Sequence, residues 1–171
     1  MYFSNKISSV LLGAIAALFM TGNAFAITDA RTQVQHAAGS CQGNLPVSAT
    51  QLRARPLAIA NEGTASAFIS CSLGADDYSE ALNGYNGVVV TNRTATQVNI
   101  SCTLAAGGIE AAAVFFTRTV PIPAGALAVV PFDVADNGGN PIPNSLNYSC
   151  SIPPGVEINA VFTNIEEDIG A

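Results

Sequence analysis

The stretch that decides the fold is Phe68-Ile69-Ser70-Cys71-Ser72-Leu73, and the chain carries it in three versions. The second is Asn99-Ile100-Ser101-Cys102-Thr103-Leu104 and the third is Asn147-Tyr148-Ser149-Cys150-Ser151-Ile152. All three contain Ser-Cys-Ser/Thr-Leu/Ile. Alternate positions share one character: Ile69, Cys71 and Leu73 fall on one side, Ser70 and Ser72 on the other. Val98, Ile100, Cys102 and Leu104 repeat the pattern, as do Leu146, Tyr148, Cys150 and Ile152. A period of two is that of a strand with one buried face. Each cysteine lies on the apolar side, so the bridges are expected inside the fold. The spacings of 31 and 48 residues are unequal, which sets a solenoid aside and leaves one strand type used three times.

Further strands read outward from these. Val88-Val89-Val90 follows the turn signals Asn83-Gly84 and Asn86-Gly87, and residues 111–119 contain Val114-Phe115-Phe116. Residues 127–134 contain Val129-Val130-Pro131-Phe132, where Pro131 demands an edge strand or a bulge. Val156, Ile158, Ala160 and Phe162 alternate in a last strand, and Leu57-Ala58-Ile59 marks a short one. Gly107-Gly108, Pro121 to Pro123, Asp136 to Pro143 and Pro153-Pro154-Gly155 punctuate the series. Helical periodicity is weak throughout, and residues 27–40 have no clear pattern. The expected fold is all-β, an antiparallel β-sandwich of roughly 7–9 short strands, with a barrel as the less favoured alternative.

Residues 1–26 read as a signal peptide rather than as part of the domain. Lys6 supplies the charged start, an apolar core runs from Val10 to Met20, and Ala24-Phe25-Ala26 supplies the small-x-small cleavage pattern. Eleven apolar residues are too few for a bilayer, which needs about 20, and no later stretch reaches that length. The domain expected is residues 27–171, exported to the periplasm or beyond. The whole chain has 171 residues and a formal charge of −6; without Lys6 the remaining five Arg stand against twelve carboxylates, giving −7. So acidic a chain has no basic stripe for nucleic acid, and its 49% apolar content excludes a disordered acidic tail.

Export places Cys41, Cys71, Cys102 and Cys150 in an oxidising compartment. An even count without Cys-x-x-Cys spacing favours two disulfides over zinc. Three connectivities are open; the preferred one, Cys41–Cys71 with Cys102–Cys150, closes two separate loops.

The order of these motifs carries a resemblance. Cys41-Gln42 stands near the start, Val98-Asn99-Ile100-Ser101-Cys102-Thr103-Leu104 in the middle, and Tyr148-Ser149-Cys150-Ser151-Ile152-Pro153-Pro154-Gly155 before an acidic finish, Glu166-Glu167-Asp168. The chain resembles a group of exported, β-rich bacterial proteins with four cysteines, and that resemblance implies export and a sandwich but no activity. Size, export and paired cysteines are also shared with fimbrial subunits. The chain departs from those in having four cysteines and no donor-strand arm or C-terminal subunit signature.

Candidate sites are few. His36 is the only histidine, and with no Gly-x-Ser-x-Gly elbow a hydrolase triad has no support; it reads as an exposed residue of an unpatterned arm. Asp76-Asp77-Tyr78-Ser79-Glu80 and Asp133 to Asn140 gather oxygen ligands of the kind calcium takes, but Ala135 falls where a ligand belongs, and solvated turns are the better reading. The acidic finish reads as a solvated end. The sequons at Asn92, Asn99 and Asn147 carry little weight in a chain of bacterial resemblance. Tyr78 and Tyr85 flank an Asn/Gly-rich loop; rings beside amides suit a sugar, whose faces stack and whose hydroxyls bond, and the two form the expected ligand surface, against a plainer role capping the sheet edge.

The expectation is a non-catalytic secreted or periplasmic structural or binding protein, with a glycan or an envelope protein as partner and no cofactor or metal. Two alternatives remain: an adhesin or pilus-like subunit that adds a strand at an open edge, and a hydrolase using carboxylates such as Asp76 and Asp77.

Overall fold

Alternation in the three cysteine strands builds one wall of the molecule. A computed structural model describes residues 28–74, 84–108, 112–143 and 145–168, so the expected signal peptide lies outside the described residues. Asp29–Glu167 forms one unit. Its five-stranded sheet runs β2 (Cys41–Gly43), β5 (Ala67–Leu73), β10 (Leu146–Ile152), β7 (Val98–Ala106) and β8 (Val114–Ile122), all antiparallel. The six-stranded sheet runs β3 (Leu52–Arg55), β4 (Ala58–Asn61), β11 (Val156–Asp168), β6 (Asn86–Asn92) and β9 (Leu127–Phe132), with β1 (Thr28–His36) also paired to β11. The expected sandwich is present. Among the described residues it has eleven strands, and the ones beyond the sequence reading are β1, β2 and β3 in the unpatterned arm.

The core is what the alternation requires. Ile69, Ile100, Cys102, Leu104, Cys150 and Ile152 are wholly buried beneath the first sheet, facing Val88, Val90, Phe132, Ile158 and Val161 of the second. At roughly 25 cal/mol per Å² of apolar surface, each large aliphatic buried there contributes about 1.5–3 kcal/mol relative to exposure. Pro131 does lie on an edge strand, since β9 pairs only with β6, where it stands opposite Gly87.

Both disulfides take the preferred pairing, Cys41–Cys71 and Cys102–Cys150. In each, the two cysteines are direct register partners on neighbouring strands of the five-stranded sheet. The bridges are therefore buried, and they clip strands within one sheet rather than joining the two sheets.

The chain passes from one sheet to the other through a repeated corner. Asn61 ends β4 and Asn92 ends β6, each ten positions before a cysteine. Asn61 Nδ2 donates to the Ala65 and Ile152 carbonyls at 2.9 and 2.8 Å, and Oδ1 accepts from Gly63 N at 3.0 Å. Asn92 Nδ2 donates to the Thr96 and Ile122 carbonyls at 2.8 and 3.1 Å, while Oδ1 accepts from Thr94 N at 2.9 Å. Each amide thus closes its own turn and ties it to the end of a strand in the opposite sheet.

Candidate functional site

The outward face of the six-stranded sheet holds the polar chemistry. In β11, Glu157 pairs with Ala60 and with Thr91, so its side chain stands in the middle of the face. A register shift between Ile158 and Ala160 inserts Asn159 as an extra residue. A bulge of this kind re-aims a side chain, and here Asn159 joins Glu157 on the outside rather than alternating away from the row that follows.

A single carboxylate oxygen organises the group. Arg93 donates to Glu157 Oε1 from Nε at 3.0 Å and from Nη2 at 2.6 Å, and Asn159 Nδ2 reaches the same oxygen at 3.3 Å. Thr91 Oγ1 donates to Asn159 Oδ1 at 2.8 Å, which fixes the amide's orientation. Glu157 is buried while the Arg93 side chain is 66% exposed. The hydrogen bond to Glu157, and then its charge, hold the guanidinium above its already high ordinary value. With Arg55, Pro56, Leu57 and Ala58 these groups line an open depression of about 470 Å³. Arg55 and Arg53 both pair with Glu62 beside it. Leu57 is 65% exposed and gives the depression an apolar lip.

Further along the same face stands an aromatic pair. Tyr85 packs against Phe162 with ring centroids 5.6 Å apart and a tilt of 43°. Phe162 is the register partner of Gly87, where an added Cβ would lie 2.8 Å from Val129 Cγ1 and 3.1 Å from Phe162 Cε1. Glycine lets the ring lie down on the sheet, and Tyr85, 41% exposed, leans on it. Its partner in the expected ligand surface, Tyr78, lies outside the described residues, as do Asp76, Asp77 and Glu80.

The other sequence candidates fall elsewhere. His36 ends β1 and lines a separate depression with Gln35, Ser40 and Pro56. In the second acidic loop, Asp133 accepts from Ala135 N at 2.8 Å and Asp136 accepts from Asp133 N at 2.9 Å, capping a 3-10 turn over Val134–Asn137. Asp136 also pairs with Arg118. These oxygens close the turn on itself. Among the described residues there is no cluster of three or more His, Cys, Asp or Glu arranged to hold a metal, and no helix is long and apolar enough to cross a membrane. The sequon residue Asn92 is wholly buried.

Sequence reading missed Arg93, Glu157 and Asn159. The available signal was Glu157 as a lone charge inside an alternating apolar strand; its partner is 64 residues away and nothing local marks it.

No protein-family model matches the chain, and no curated protein does. Solved structures similar in fold include TmCBM61 in complex with beta-1,4-galactotriose, at 10% identity and a TM-score of 0.39, covering 80% of this chain and 88% of that one. Another is the family 11 carbohydrate-binding module from Clostridium thermocellum in complex with a beta-1,3-1,4-mixed-linked tetrasaccharide, at 10% identity and a TM-score of 0.37, covering 87% and 90%. A likeness this distant says nothing of what this chain binds.

Proposed function

We propose that the protein is a non-catalytic glycan-binding protein of an oxidising, extracytoplasmic compartment, and that it binds through the outward face of the six-stranded sheet. The observation that carries this reading is the Glu157–Arg93–Asn159 group at the floor of an open depression, on the same face as the Tyr85–Phe162 pair. Sugars present hydroxyls that both donate and accept, beside apolar ring faces. A fixed carboxylate, guanidinium and amide meet the first; Leu57 and the exposed ring of Tyr85 meet the second. Hydrolysis of a glycoside ordinarily needs two carboxylates across the bond. The depression is lined by one, Glu157, already engaged by a guanidinium, which favours binding over catalysis.

The test is a glycan array with the exported protein. Asn159→Ala and Arg93→Ala should each weaken the best ligand about tenfold or more, with Tyr85→Ala weakening the longer ligands most. An array blank for the native protein, or binding indifferent to all three changes, overturns the reading.

A second reading, a subunit joined by strand addition, draws on β8, which pairs only with β7 along nine residues and half-buries Val114, Phe116 and Val120. Against it, Arg118 points inward from that strand to Asp136, and an inward charge is a device that blunts edges. A protein that stays monomeric at high concentration, and accepts no strand peptide, removes this reading.

A further inference from the structure

We propose that the outward face of the five-stranded sheet is a separate docking surface for a neutral, extended polysaccharide lying across the strands. It is independent of the depression on the opposite sheet. The three cysteine strands place their small polar residues outward, and the register brings them into rows. Ser70, Ser149, Thr103 and Thr117 are successive partners across β5, β10, β7 and β8. The next row is Phe68, Ser151, Ser101 and Thr119. Neighbouring strands stand about 4.8 Å apart, and alternate residues along a strand about 6.7 Å. The result is a two-dimensional lattice of hydroxyls whose cross-strand period is close to the advance of one pyranose in an extended β-linked chain.

The hydroxyls are already oriented. Thr103 and Thr117 share a hydrogen bond of 2.8 Å, Thr119 donates to Ser101 at 3.2 Å, and Ser72 donates to Asn147 at 2.8 Å. A polyol that meets them exchanges one ordered hydroxyl network for another, with little loss of side-chain freedom.

Charge selects the partner. No Asp, Glu, Lys or Arg occupies an outward position on β2, β5, β10, β7 or β8, in a chain whose formal charge is −6. A nucleic acid, an anionic lipid or an acidic glycan would find no counter-charge there, whereas a neutral polymer loses nothing by its absence. Two exposed phenyl rings stand at opposite corners of the lattice. Phe68 is 48% exposed and Phe115 is 69% exposed. They are three strands and two rows apart, which puts them about 20 Å from each other, far enough to stack on two sugars of one chain.

The experiment measures depletion of the exported protein from solution by microcrystalline cellulose and by chitin. Binding to at least one of them is expected, unchanged between low and high salt, and reduced about tenfold by Phe68→Ala or Phe115→Ala. Thr117→Arg, on the exposed side of an edge strand, should do the same while leaving the melting temperature unaltered; Ser149→Glu at the lattice centre is the stronger form. Arg93→Ala and Asn159→Ala should leave retention unchanged, which separates this surface from the depression. No retention on either polymer overturns the proposal. So does retention that falls with salt, or that survives Thr117→Arg and both phenylalanine changes.

Discussion

Asn92 is wholly buried, and both polar atoms of its side chain are engaged: Nδ2 by the Thr96, Ile122 and Pro123 carbonyls, Oδ1 by the backbone and hydroxyl of Thr94. Truncating it to alanine leaves buried carbonyls without donors, each costing about 1–3 kcal/mol. Asn92→Ala should therefore lower unfolding free energy by about 2–4 kcal/mol in a urea titration, whereas the same change at exposed Asn99 should cost almost nothing. Tyr148 gives a residue-scale prediction of another kind. Its phenol lies in the core, with its hydroxyl 3.3 Å from the Phe162 carbonyl. Burial raises its pKa well above the ordinary value, and a hydrogen bond from the Gly87 backbone offsets this in part. Above about pH 10 the unfolded chain releases this proton and the folded chain keeps it, so stability is intact below that pH and falls above it by about 1.4 kcal/mol per unit. Tyr148→Phe should flatten that part of the stability curve, measured by denaturation between pH 9 and 12. At this scale the sequence was partly legible. The cysteines were read at once, but Asn61 and Asn92 were not, although each precedes a cysteine by the same ten positions; a buried amide has no periodic signature, and only the carbonyls it meets reveal its use.

Strands with a strict inside and outside were visible in the bare sequence, and β5, β7 and β10 show why: a residue's partner across the core is dictated by its own side chain. The arm that forms β1, β2 and β3 lacks that signal. In β3, Leu52 is half-buried and the three residues after it are exposed, and β2 is only three residues long. Those strands exist because β11, β4 and β5 offer open edges to pair with, and an edge is a property of the neighbour, not of the arm. The two disulfides should differ accordingly. By chain entropy each contributes roughly 3–4 kcal/mol for loops of 30 and 48 residues. Replacing Cys41 and Cys71 by alanine should loosen the arm first, seen as faster amide exchange over residues 41–55 with β6 and β7 still protected. Replacing Cys102 and Cys150, which sit in the middle of a six-pair register, should accelerate exchange across the whole sandwich.

Taken as a whole, the molecule turns two unlike faces outward. One carries Arg93, Glu157 and an aromatic pair; the other carries hydroxyls and no charge. Period-two reading gives what stands on each side of each strand, yet it cannot say which strands are neighbours. The serines were therefore legible one strand at a time, and their rows were not. The same order of strands has a mechanical consequence. Because each bridge ties neighbours within one sheet, a pull on the two ends of the chain cannot stretch residues 41–71 or 102–150. That locks away about 100 Å and about 160 Å of contour length, while the interface between the sheets bears load with no covalent tie. Under tension the sandwich would part into its two layers before either clipped loop gives up any length, and in an oxidising medium those loops remain short tethers that let the layers find each other again.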